Sequence, residues 1–150
     1  MKRNVFNFMA MFFVAVLTLG FTSCGDDDDG GNDPEGTITA NIRNKNNGET
    51  YVTLFDGYSS LRIDAADNFW FWDDHSAIAC IGKVKGLGSI NSIPISGWSV
   101  RSLVQPGYGY VVKSRLFDGI YARIYVVDYM EGVGGGIIGA TVKYQSPWEP

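Results

Sequence analysis

Histidine is almost missing from this 150-residue chain, which has only His75. Cysteine is nearly as scarce, at Cys24 and Cys80. A zinc-type centre draws on three or four nitrogen and sulfur ligands, and a stapled secreted scaffold on several cysteine pairs. Neither is available. His75 stands in Asp73-Asp74-His75-Ser76, but successive residues of an extended chain point to opposite faces, which makes a poor metal set. A polar loop residue is the expectation, with no metal and no cofactor. A basic excess is lacking too: residues 36–150 hold ten Lys and Arg against ten Asp and Glu. Nucleic-acid binding requires clustered cations to meet phosphates, and this neutral domain has no such stripe. No amphipathic helical period stands out after residue 36.

What is present begins with a three-part N-terminus. Met1-Lys2-Arg3-Asn4 is short and basic; Val5 to Phe21 is apolar apart from Asn7, Thr18 and Gly20; Thr22-Ser23-Cys24 follows. A basic start, an apolar stretch and small residues before a cut mark a secretory signal peptide. The apolar stretch lies at the low edge of membrane-spanning length. Leu19-Gly20-Phe21-Thr22-Ser23-Cys24 resembles a bacterial lipobox, with Phe21 where leucine is usual. The resemblance implies cleavage before Cys24 and acylation of that residue. Two or three buried acyl chains hold a protein to a membrane where one does not. The next residues carry six acids and no base: Asp26, Asp27, Asp28, Asp29, Asp33 and Glu35. Neither Gly30 nor Gly31 puts the glycine and acids of a calcium-binding loop in register. A self-repelling tether fits, and the run also resembles an export label for the outer surface. The expected organisation is a signal peptide over 1–23, an acidic tether over 24–35 and a single domain over 36–150. With Cys24 acylated, Cys80 has no disulfide partner; in Ala77-Ile78-Ala79-Cys80-Ile81 it reads as a small buried hydrophobe.

Residues 36–150 read as strands and turns. Thr37 to Arg43 alternates polar and apolar, Asn44 to Glu49 is a turn, and Thr50 to Phe55 is the next strand. Asn47-Gly48 suggests a hairpin. A strict two-residue turn, however, pairs Ile42 with Thr53 and sets Val52 and Leu54 on the face opposite Ile38 and Ile42, so a bulge or longer loop is required. Further strands are read at 60–64, 69–72, 77–84, 98–104 and 137–145, with a Gly/Ser/Pro-rich loop over 86–97. The total of about eight or nine short, mainly antiparallel strands predicts an all-β sandwich or barrel. Gly134-Gly135-Gly136-Ile137-Ile138-Gly139 formally matches GxGxxG, but a strand rather than a helix follows it, so the glycines read as a turn and a close strand contact.

The clearest unit is YGYVVKSRLFDGIYARIYVVDYM, with Asp118-Gly119 between two strand-like runs. A two-residue turn pairs Phe117 with Ile120, Val112 with Tyr125 and Tyr108 with Tyr129. One face then carries Val111, Ala122, Ile124 and Val126. The other carries Tyr108, Tyr110, Tyr121, Arg123, Tyr125 and Tyr129 with Val112 and Val127. Tyrosine rings and a guanidinium suit contact with a glycan or peptide; alternatively the tyrosines line the interior. Trp70, Trp72 and Trp98 raise the same question.

GTITANIRNKNNGET, IGKVKGLGSI, IPISGW, VQPGYGYV, ARIYVVDYM and GGIIGATVKYQSP together resemble a family of small Bacteroidetes lipoproteins whose domain has no assigned function. The resemblance implies an outer-membrane, surface-facing location and no catalytic residue. The first expectation is therefore a non-enzymatic binding or adhesion module for a glycan or a protein ligand, anchored to the membrane through Cys24. A structural subunit of a lipoprotein assembly is the second. A glycan hydrolase is the third; it needs two facing carboxylates, and no spacing among Asp64, Asp67, Asp73, Asp74, Asp118 and Asp128 singles out a pair.

Overall fold

Alternation of large apolar residues with polar ones gives each strand one face to bury, and the computed structural model, which describes residues 33–150, closes two such sheets on each other. Its strands are β1 (Ile38–Arg43), β2 (Val52–Leu54), β3 (Ser59–Ile63), β4 (Asn68–Phe71), β5 (Ser76–Lys83), β6 (Arg101–Leu103), β7 (Tyr108–Ser114), β8 (Tyr121–Glu131) and β9 (Ile137–Trp148). One antiparallel sheet has the order β1-β9-β8-β7-β5 and the other β2-β3-β4-β6. The protein is thus a small all-β sandwich rather than a barrel. Cys24 and the acids Asp26 to Asp29 lie outside the described residues.

Between the sheets, Tyr110, Val112, Ala122, Ile124, Val126, Ala140 and Val142 meet Leu54, Leu61, Ile63, Phe69 and Phe71. The Asn47-Gly48 turn does not make a hairpin. β1 pairs with β9 and β2 with β3, so the turn carries the chain from one sheet to the other. This resolves the facing conflict seen in the sequence: Ile42 and Leu54 face each other across the core instead of lying side by side in one sheet. The Thr50 hydroxyl then completes the exposed edge of β1, accepting from the Arg43 amide at 2.8 Å and donating to the Asn41 carbonyl at 3.1 Å. An edge filled in this way offers less to a foreign strand.

β7 and β8 do form a hairpin, but not through a two-residue turn. The Ser114 hydroxyl accepts from the Leu116 and Phe117 amides, and the Ser114 amide donates to the Ile120 carbonyl. The connection therefore runs from Arg115 to Ile120. Val112 pairs with Ala122 and Tyr110 with Ile124, three residues away from the register read in the sequence. An odd shift exchanges the faces of one strand. Tyr110 and Val112 move into the core, and Val111 moves out beside Arg123.

The outer face of the five-stranded sheet is covered in turn. Leu87 and Ile90, from the Gly/Ser/Pro-rich segment, pack on Val111 and Trp148, with Ile81, Val84, Trp98, Tyr121 and Tyr125 around them. Gly109 lets this flap lie flat: a Cβ there would stand 2.9 Å from Ile90 Cδ1 and 3.0 Å from Val84 Cγ2. Two further expectations are corrected. Cys80 is exposed, because β5 is a sheet edge and its register breaks between Cys80 and Gly82. β9 runs past Pro147 to Trp148, which pairs with Tyr121. The glycine run behaves as read: Gly132 and Gly136 close the β8–β9 turn, and a strand follows.

Candidate functional site

The six residues of the tyrosine-rich face do not share a face. Tyr110 is wholly buried between the sheets, edge-on to Phe69 at 5.1 Å. Its hydroxyl donates to the Leu103 carbonyl at 2.7 Å and accepts from the Gln105 amide at 3.0 Å. Burial, with smaller contributions from neighbouring groups, raises its pKa well above the usual tyrosine value. Tyr108 and Tyr129 pack on the same core. The β8 register breaks between Val126 and Asp128, which turns Tyr129 inward so that its hydroxyl reaches the Val104 carbonyl at 2.7 Å. These phenols fasten the segment after β6 to the larger sheet.

Tyr121, Arg123 and Tyr125 do point outward together, but beneath the flap. Arg123 is 8% exposed. It donates to the Ile90 carbonyl at 2.7 Å and to Gln145 Oε1 at 2.7 and 3.0 Å, and it lies 5.1 Å from the Trp148 ring centre. Burial lowers its pKa. Every strong donor direction is used within the fold, so Arg123 holds the flap to the sheet.

The titratable groups are dispersed. His75 Nδ1 lies 3.7 Å from Asp73 Oδ2 in the β4–β5 turn. Asp64 closes the β3–β4 turn by accepting from the Ala66 and Asn68 amides, and Arg101 approaches it at 3.4 Å. Burial raises the Asp64 pKa, but the Asn68 and Ala66 hydrogen bonds and Arg101 outweigh it, and the net shift is downward. Asp128 caps the Tyr129 amide. Among the described residues, no group of three or more His, Cys, Asp and Glu is placed to hold a metal ion.

The exposed aromatic surface is on the other sheet. In Phe69-Trp70-Phe71-Trp72 the phenylalanines enter the core and the tryptophans point out, as a strand period of two dictates. Arg62 of β3 lies directly opposite Trp70. Its guanidinium carbon sits 4.5 Å from the Tyr51 ring centre and 5.2 Å from that of Trp72, within the range of cation–π attraction. Trp70 and Trp72 lie 5.8 Å apart at 51°. Glu49 Oε2 anchors the arginine at 2.9 Å. Trp72 is 71% exposed and Tyr51 52%, large apolar areas to leave in water.

This surface also gathers polar groups without hydrogen-bond partners. Glu49 Oε1, Arg62 Nε and Trp70 Nε1 are all buried and unpaired within the fold. Each such group costs about 1–3 kcal/mol, so an acceptor and two donors stand desolvated beneath two exposed rings. The alternation of Trp70 and Trp72 is visible in the sequence. Their grouping with Tyr51 and Arg62 depends on strand pairings that no local signal encodes.

A family model described as "Domain of unknown function (DUF5036)" matches residues 39–148, from β1 to the end of β9, and the chain belongs to that family. No curated protein and no solved structure matches the chain.

Proposed function

We propose that this member of the family is a lipid-anchored module of the outer-membrane surface that binds a glycan without catalysis, through Tyr51, Arg62, Trp70 and Trp72. One observation carries the reading: Arg62 lies between two exposed aromatic rings on a sheet face that nothing in the described chain covers. A sugar ring offers apolar C–H faces to stack on such rings and hydroxyls that both donate and accept. Its hydroxyls suit Glu49 Oε1 as donors, and Arg62 Nε and Trp70 Nε1 as acceptors, once the covering rings shift. Tryptophan, tyrosine and arginine are also the residues that most often carry the binding energy of protein interfaces.

Anchoring rests on the lipobox-like Leu19-Gly20-Phe21-Thr22-Ser23-Cys24 and the acidic run after it. Cys24→Ala is expected to abolish incorporation of labelled fatty acid and release the protein from membranes. Persistent labelling would contradict the anchor.

The binding claim is tested on a glycan array with the full chain and Trp72→Ala. The variant is expected to lose at least about tenfold in affinity, equivalent to ~1.4 kcal/mol. Its unfolding midpoint should not move, because the ring is mostly in solvent. Glycan binding that survives the substitution undiminished, or no glycan retained by the parent chain, overturns the reading.

A further inference from the structure

A second candidate site, built from residues other than those of the tryptophan face, lies where three chain segments meet. The β2–β3 turn, the β7–β8 connection and the end of β9 border an open pocket of about 300 Å³ lined by Phe55, Asp56, Tyr58, Phe117, Ile120 and Pro147. That volume suits a small ligand. Tyr58 and Phe117 stand edge-on, 5.0 Å apart, and both remain substantially exposed. Phe55 and Asp56 both have positive φ, at 55° and 56°, which is uncommon outside glycine. The Phe55 amide is tied to the Ser146 hydroxyl at 2.9 Å, which holds this turn against β9.

The lining has three aromatic rings, two aliphatic residues and one charge, a carboxylate. Asp118 directly follows Phe117, and Glu149 stands two residues beyond Pro147. Arg115, the nearest base in the hairpin connection, is directed to the Asp74 carbonyl. Aromatic rings grouped around a carboxylate attract a cation whose surface is apolar, because ring faces and anion both favour positive charge while the walls favour methyl groups. The geometry points to a binding site for a small alkylammonium ion in this cage, with Asp56 as counter-ion. The Asp56 carboxylate opposes ligands that also carry a phosphate, so the ion is a simple alkylammonium rather than a zwitterionic headgroup.

The test is saturation-transfer NMR on the full chain with choline, phosphocholine and 3,3-dimethyl-1-butanol, the uncharged isostere of choline. Choline is expected to bind at least about fivefold more tightly than either of the others, within the range of a partly desolvated cation–π contact. Asp56→Asn keeps the size of the side chain and tolerates positive φ, and should remove most of that preference. Trp72→Ala should leave choline binding unchanged, which separates this site from the glycan surface. Equal binding of the neutral isostere, phosphocholine binding as well as choline, or no choline signal overturns the proposal.

Discussion

Arg123→Ala is expected to destabilise the fold by about 3 kcal/mol or more, and to open the flap before the sandwich melts. The guanidinium is the partner of the buried Ile90 carbonyl and of the part-buried Gln145 Oε1. Removing it strands these acceptors and deletes the stem packed against Trp148, each loss costing on the order of 1–3 kcal/mol. Arg123→Lys should rescue little, since one ammonium cannot reproduce the divergent bonds to Ile90 and Gln145. Urea denaturation gives the first quantity, and hydrogen exchange at the Ser89 and Ile90 amides, bonded within the flap, reports its opening. A loss below about 1 kcal/mol with exchange unchanged would show that the flap holds without the arginine.

Gly139→Val is expected to prevent accumulation of folded protein. A Cβ at Gly139 would collide with the Ile42 carbonyl oxygen and stand 2.8 Å from Arg43 Cα. Both obstacles are backbone of the paired β1 strand, so no side chain can rotate away. Overpacking against movable groups costs about 1–3 kcal/mol; here β1 must separate from β9, in a fold whose total stability is on the order of 5–15 kcal/mol. Gly136, three residues earlier in the same glycine run, has open space where a Cβ would stand, with nothing within 4 Å. Gly136→Ala should therefore change the midpoint in urea by less than can be resolved. Similar behaviour of the two variants would contradict the close contact between β1 and β9.

These substitutions also mark what the sequence made legible. Alternation along β8 correctly divided Ala122, Ile124 and Val126 from Tyr121, Arg123 and Tyr125. The same reasoning failed for β7, because it depended on the turn. Asp118-Gly119 signals a tight hairpin, whereas the Ser114 hydroxyl organises a longer connection and moves the register by an odd number. Asn47-Gly48 misled in a related way: a turn is encoded locally, but whether it joins neighbours in one sheet or links two sheets is decided by which strands share a core. β1 and β9 meet across almost the whole domain, and nothing near either strand announces the pairing.

The site follows the same rule. Outward alternation of Trp70 and Trp72 is written in four consecutive residues. Arg62 joins them only through the β3–β4 register, and Tyr51 only because β2 lies on the far side of β3. The density of tyrosine falls on β7 and β8, where the Tyr110 and Tyr129 phenols fasten chain segments and pack the core.

The four tryptophans offer the most direct test of the proposed glycan site. Trp70 and Trp72 lie on the outer face of the four-stranded sheet, whereas Trp148 lies under the flap and Trp98 packs beside it. Titration of the nitrogen-15-labelled chain with a glycan selected on the array should move the Trp70 and Trp72 indole N–H resonances and leave those of Trp98 and Trp148 in place. Shifts confined to Trp98 and Trp148 would contradict the account, and would put the ligand on the flap side of the sandwich.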